Sequence, residues 1–330
     1  MHESFRAFMA GLIDYAGLFP PTALDPDRAI RNYARYRAGR DAWILGRFIT
    51  SARGLADLAP YHDELFAAEG EPYRFSVLAG FGDDEEEALA ALEVDARAMA
   101  AFRERHGARV RIDAIETKLP EEAEALGSPG GVAEYLRRFA APLERGGNPV
   151  PDVWVEVPAP RRWLVSARAA IEGIGKIAGE GGPRFGFKLR CGGGDLSAFP
   201  GTGTAAFAIA ACRDGAVPMK WTAGLHHPVR RRDAGLEVMS HGFLNMFGAA
   251  ILARAHSWTP EKIEACLADE EPGHFTFDGD SFSWKKDSVP AAEIARARGE
   301  FATGYGSCSF DEPREDLAAL GWMEPVDDTT

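Results

Sequence analysis

Hydrophobic and polar positions along the chain fall into two alternating regimes. Short runs rich in β-branched and aromatic residues read as strands at 43–50 (WILGRFIT), 73–81 (YRFSVLAGF), 110–119 (VRIDAIETKL), 152–160 (DVWVEVPAP), 184–192 (RFGFKLRCG) and 217–225 (VPMKWTAGL). Between them lie longer stretches at 25–39, 84–107, 130–147, 160–182 and 204–216, whose apolar residues recur at helical spacing and which often close on glycine. Strand and helix alternate with a period of roughly 30 to 40 residues, the mark of βα units building a parallel sheet.

Adding GLIDYAGLF (11–19) in front and HFTFDGDSF (274–282) behind brings the strands to about eight, which predicts a closed (β/α)8 barrel. FATGYGSCSF (301–310) competes with 274–282 for the eighth place. A single barrel domain over 1–330 is expected, with an irregular C-terminal extension from 283. FPP (19–21) reads as a rigid turn before a helix that starts at Asp25 to Asp27. An open doubly wound sheet would carry a glycine-rich phosphate fingerprint after its first strand, whereas GLFPPTALDPD has one glycine and three prolines.

Several of these strands carry charges where a buried strand should be nearly all aliphatic. Alternation sets Lys188 and Arg190 on one face with Gly186, and Lys220 and Thr222 on one face with Gly224. It also pairs Glu156 with Trp154, and Glu116 with Lys118. Arg47 adds a further cation, and Asp14 and Tyr15 fall at the rim of the first strand. Each such residue taken alone fits a paired core ion or a rim charge. Together, late on neighbouring strands, they point to the C-terminal face, where barrel enzymes place their sites.

Lysines and an arginine against two glutamates suit a small anionic ligand, its carboxylate or phosphate held by Arg190 and the backbone N–H groups of Gly192 to Gly194. They suit a divalent metal less well, because hard cations need several carboxylates. A lysine near another cation and away from water has a lowered pKa and can attack a carbonyl to form a Schiff base. Lys188 and Lys220 fall on adjacent strands, about 5 Å apart. Glu116, Glu156 or Asp113 would shuttle protons. Alternation sets Asp113 against Glu116 and Lys118, since both sets cannot face inward without a bulge. Composition favours Glu116.

Four short patches resemble class I aldolases of the deoxyribose-phosphate aldolase type. Lys188-Leu-Arg-Cys-Gly-Gly is similar to that family's Schiff-base run on the sixth strand, and Lys220-Trp-Thr-Ala-Gly-Leu-His to its lysine run on the seventh. Ile13-Asp14-Tyr15-Ala16-Gly17-Leu18 echoes its opening strand, and Ile112-Asp113-Ala114-Ile115 its fourth. The resemblance implies Lys188 as the Schiff-base lysine, Lys220 as its partner and Asp113 as the proton-transfer carboxylate. Arg190 replaces a small hydroxyl residue of the family, and His226-His227-Pro228 stands where the family has an arginine and a phosphate-binding turn.

His226, His227 and His241 raise a metal-dependent hydrolase or lyase as an alternative, although no HExxH or HxH spacing supports it. A single histidine acting as acid, base or anion donor fits better, and His226 and His227 join Arg190, Lys118, Arg47, Asp14, Thr222 and Gly224 as candidate substrate contacts. Cys191, Cys212, Cys266 and Cys308 form no CxxC pair, so reduced thiols are expected. Cys308 has no assigned histidine, and Cys191 beside Arg190 is the better candidate for a reactive thiol.

A net charge of −13 argues against nucleic acid as a partner. No run approaches the ~20 apolar residues that span a bilayer, and the N-terminus lacks a basic region followed by an apolar core. A cytoplasmic location is expected, with no membrane partner. The sequence therefore predicts a carbon–carbon lyase acting on a small anionic carbonyl metabolite without a cofactor, with a non-enzymatic binder of an anionic metabolite as a further alternative. Homo-oligomerisation is left open.

Overall fold

Eight parallel strands close on themselves in the computed structural model, which describes residues 1–325 apart from 67–69, 122–126, 146–151, 159–161, 195, 234 and 236. They are β1 (Ile13–Tyr15), β2 (Leu45–Ser51), β3 (Tyr73–Leu78), β4 (Val110–Lys118), β5 (Asp152–Glu156), β6 (Arg184–Arg190), β7 (Met219–Thr222) and β8 (Ala302–Ser307). Each pairs with the next, and β8 pairs with both β7 and β1. This is the expected (β/α)8 barrel.

The outer helices start where local chemistry allows. Asp25 accepts a hydrogen bond from the Arg28 N–H at 3.0 Å with Pro26 in the first turn, opening the helix Pro26–Ala38 as the turn after FPP predicted. Asp84 caps Glu85–His106 in the same way, three glutamates occupy its first turn, and Gly107 closes it at φ +57°. Outward-facing strand residues such as Phe48, Phe75, Val153, Phe187 and Trp221 are fully buried beneath this helical layer.

The seventh βα unit is expanded, and this corrects the placement of the eighth strand. Residues 274–282 enter a three-stranded antiparallel sheet of Phe275–Phe277, Ser281–Trp284 and Asp287–Pro290, while FATGYGS supplies β8. The alternation that made 274–282 look like a barrel strand is that of a hairpin with one face covered, since Phe275, Phe277 and Phe282 are buried and Thr276 is exposed. Phe277 packs edge-on against Phe5 and Phe8 of the N-terminal helix Glu3–Met9, with ring centres 5.1 and 5.4 Å apart. Arg298 donates to the carbonyls of Phe8, Ala10 and Ala302, fastening that helix to the start of β8. Arg231 and Arg232 lie exposed on a two-stranded ribbon, Arg231–Asp233 with Val238–Ser240. Among the described residues no helix is long and apolar enough to cross a membrane.

Candidate active site

The barrel interior resolves the conflict between Asp113 and Glu116. Phe75 pairs with Ile112 and Ser76 with Ala114, so Asp113 is an extra residue in β4, and the phase of alternation changes across it. Both carboxylates are buried in consequence. They serve different clusters. Asp113 lies between Arg74, 2.5 Å away, and Arg111, with Arg47 Nε at 3.8 Å. Glu116 lies between the two strand lysines.

From Arg47 to Arg190 the interior carries charges of alternating sign. Arg47 Nη1 is 3.6 Å from Asp14, and Asp14 binds Lys220. Lys220 Nζ is 2.7 Å from Glu116 Oε1, and Glu116 Oε2 is 3.2 Å from Lys188 Nζ. Lys188 is 3.1 Å from Glu156 Oε2, and Glu156 Oε1 accepts from Arg190 Nε at 2.7 Å. Ser76 donates to Glu116 Oε1 at 2.8 Å. Lys188 and Lys220 stand opposite each other in register, as adjacent strands require, and are 4% and 1% exposed. Arg190, at the C-terminal end of β6, is exposed and carries the series to the barrel mouth.

The electrostatics correct one expectation. Burial works against the ammonium of Lys220, but Asp14 and Glu116 in contact with it outweigh that and hold it above the ordinary lysine value. Proximity of the lysines to each other does not lower it, because Glu116 sits between them. Burial would likewise raise Glu116, yet Lys220 and Lys188, with the Ser76 hydroxyl, hold its carboxyl far below the usual carboxylate range. Glu156 is held down against burial by Lys188 and Arg190. The resting site is thus ionic, and a nucleophilic amine requires transfer of a proton along the series.

The expected substrate contacts separate into two groups. Arg190 reaches the mouth but turns back onto Glu156, with the Gly192 carbonyl 3.5 Å from Nη1, instead of pointing freely at Gly192 to Gly194. Thr222 ends β7 opposite Gly306, whose missing side chain leaves room, since a Cβ there would stand 2.9 Å from Ile49 and 3.3 Å from Thr222 Oγ1. Gly224, at φ +69°, meets the Cys191 carbonyl and Gly192, so the loops after β6 and β7 touch across the mouth. Lys118 pairs with Glu121 at 2.5 Å on the rim. Arg47 does not reach the mouth. It is surrounded by Asp14, Asp113 and Asp152, the last two early on β4 and β5.

His226 and His227 both reach Glu312, at 2.9 and 3.9 Å, whereas His241 stands apart from them. His226 Nδ1 lies 2.9 Å from Glu312, His227 Nδ1 lies 2.6 Å from Asp316, and His241 Nε2 donates to the Pro200 carbonyl at 2.7 Å. Among the described residues no group of three or more His, Cys, Asp or Glu side chains is placed to hold a metal ion. Cys191, expected to be the more reactive thiol, is fully buried, and burial pushes its pKa up. Cys308 has the histidine that the sequence left unassigned, with Sγ 3.9 Å from His226 Nε2.

Two members of the site escaped the sequence reading although alternation carried them: Ser76, two residues from Arg74 on β3, and Asp152, four before Glu156 on β5. No family model matches the chain, and no curated protein matches it in sequence.

Proposed function

We propose that the protein is a carbon–carbon lyase of class I aldolase type, in which Lys188 forms a Schiff base with a small anionic carbonyl compound. The supporting observation is that one carboxylate, Glu116, bridges two buried lysines inside a (β/α)8 barrel. Lys188 is the better nucleophile of the two because its other carboxylate, Glu156, connects to the exposed Arg190 at the mouth. Lys220 is enclosed by Asp14 and Glu116. The partial family resemblance assigns the same roles to Lys188 and Lys220, with Glu116 in place of Asp113 as the proton-transfer group.

In the reaction, Lys188 passes a proton to Glu116 or Glu156 and its free amine attacks the carbonyl carbon. The carbinolamine takes up a proton and loses water. The resulting iminium accepts the electron pair of the bond between its α and β carbons as that bond breaks. The β-hydroxyl gives its proton to Glu116 as the β-carbon leaves as a carbonyl fragment, and Lys220 then protonates the α-carbon of the enamine. Hydrolysis returns the lysine. Binding of the anionic group displaces Glu156 from Arg190.

Borohydride reduction in the presence of a panel of small carbonyl acids and phosphates, followed by peptide mapping, tests this. A reduced adduct on Lys188, lost in Lys188→Ala, is the expected result. Absence of an adduct on either lysine across the panel, together with turnover that survives Lys188→Ala, would refute it. Tight retention of an anion with neither adduct nor turnover would identify a binding protein instead.

A further inference from the structure

A second constellation stands at the same end of the barrel, built from residues that the lysine chemistry leaves unused. Cys308 follows β8 directly, and His226 lies four residues beyond the end of β7, so closure of the barrel between β7 and β8 brings together residues 82 apart in sequence. The imidazole is positioned at both nitrogens. Nε2 faces Cys308 Sγ at 3.9 Å, and Nδ1 is 2.9 Å from Glu312 Oε2, in the first turn of the helix Asp311–Ala319. Thr22, in the loop after FPP, is the other residue that favours the thiolate of Cys308.

A histidine between two groups, with one ring nitrogen for each, has relay geometry and cannot chelate one ion with both. A nucleophile, a base within reach and a third group that orients the base are the parts that nucleophilic catalysis needs. Cys191, Cys212 and Cys266 are buried, and burial pushes each thiol up. Cys308 goes the other way: burial opposes its thiolate, but His226 and Thr22 overcome it. Cys308 and Glu312 in turn raise His226 to about 10. The other ionisable groups nearby are Tyr15, His227 and Arg231. His227 is engaged by Asp316 on the same helix, and its Nε2 stands 3.9 Å from the other oxygen of Glu312.

We propose that Cys308, His226 and Glu312 form a thiolate–imidazolium–carboxylate site for acyl transfer, taking small carboxylic esters or thioesters. The thiolate attacks the acyl carbon, and the leaving alkoxide or thiolate departs with the proton of His226. Water, deprotonated by His226, then hydrolyses the acyl-cysteine, releasing the acid and returning the proton to the imidazole. The sum is ester plus water to acid plus alcohol, or thioester plus water to acid plus thiol, and no other reactant is needed.

Iodoacetamide and p-nitrophenyl acetate are the probes. An ordinary thiol loses reactivity about 100-fold between pH 8 and pH 6, whereas Cys308 is expected to lose no more than about threefold. His226→Gln should restore the steep dependence, and Glu312→Gln, a surface change that spares the core, should move it part of the way. With p-nitrophenyl acetate, a burst of nitrophenolate and an acetyl group on Cys308 are expected, both lost in Cys308→Ser. A native Cys308 that is unreactive or titrates as an ordinary thiol overturns the pairing, as does a profile that His226→Gln leaves unchanged. A flat profile without acetyl-Cys308 overturns the acyl-transfer role.

Discussion

Lys188 and Lys220 share one carboxylate, with Glu116 Oε2 3.2 Å from the first and Oε1 2.7 Å from the second. Glu116→Gln keeps the shape but leaves two buried ammonium groups one anion short. Breaking a buried pair from one side destabilises by about 3–5 kcal/mol, because the remaining charge is uncompensated. Urea unfolding should show a loss of this order. Adding Lys188→Met should recover part of it, with a coupling of about 1–3 kcal/mol in the double-mutant cycle. Strict additivity would mean that the two residues do not depend on each other.

Stability should form a plateau near neutral pH, and because Cys308 and Glu312 raise His226 to about 10, its share is already being lost as pH rises above about 6.5 toward that value. Glu116, Glu156 and Asp113 lie below their ordinary values, because neighbouring cations outweigh the opposing effect of burial. Their stabilisation is complete above the unfolded carboxylate value of about 4 and is lost as pH falls through the lower folded values. Burial pushes His106 and His241 down to about 4. Their unfolded forms therefore bind protons first, and stability already declines below about pH 6.5. Lys220 lies above its ordinary value, so its stabilisation is present below about pH 10.4 and disappears as pH rises through the higher folded value. Urea midpoints measured from pH 3 to 11 should trace this plateau. A midpoint that rises on acidification from pH 6 to pH 4 would contradict it.

Arg47 is a structural cation, and its removal should be felt in folding. Asp14, Asp113 and Asp152 lie 3.6, 3.8 and 3.7 Å from its guanidinium, but each keeps another cation in Lys220, Arg74 or Arg184. The loss in Arg47→Met should therefore fall toward the lower end of the ~3–5 kcal/mol for a broken buried pair. Arg47→Lys should not restore it, since a single ammonium cannot face three carboxylates as a planar guanidinium does. Full rescue by lysine, measured by urea unfolding, would show that charge alone is required there.

The residues that were hard to read share a physical cause. The lysines, Glu156 and seven of the eight strands were legible because alternation with period two is local. β8 was less so, because Gly304 and Gly306 weaken its strand signal. At Gly306 the glycine is needed, since Ile49 and Thr222 take the space of a side chain. Asp113 and Glu116 were ambiguous because a bulge changes the phase of alternation and shows only in pairing with β3. His226, Glu312 and Cys308 meet only through closure of the barrel. No spacing along the chain encodes that meeting.

The glycine junction over the barrel mouth gives a change that strains the loops directly. Gly224 has φ +69°, and a Cβ there would stand 2.3 Å from the Cys191 carbonyl oxygen and 2.8 Å from the Gly192 Cα. Left-handed backbone costs an alanine about 1–2 kcal/mol. The clash adds to this, because the obstacle is main chain and cannot rotate away. Cys191 and Gly192 directly follow Arg190, so relief of the clash must move the end of β6 that carries Arg190 and, two residues earlier, Lys188. Gly224→Ala should therefore lower the urea midpoint and slow borohydride trapping at Lys188. Gly194→Ala, with nothing within 4 Å of its new methyl group, should do neither. Equal behaviour of the two variants would show that contact between the loops does not set the position of the site.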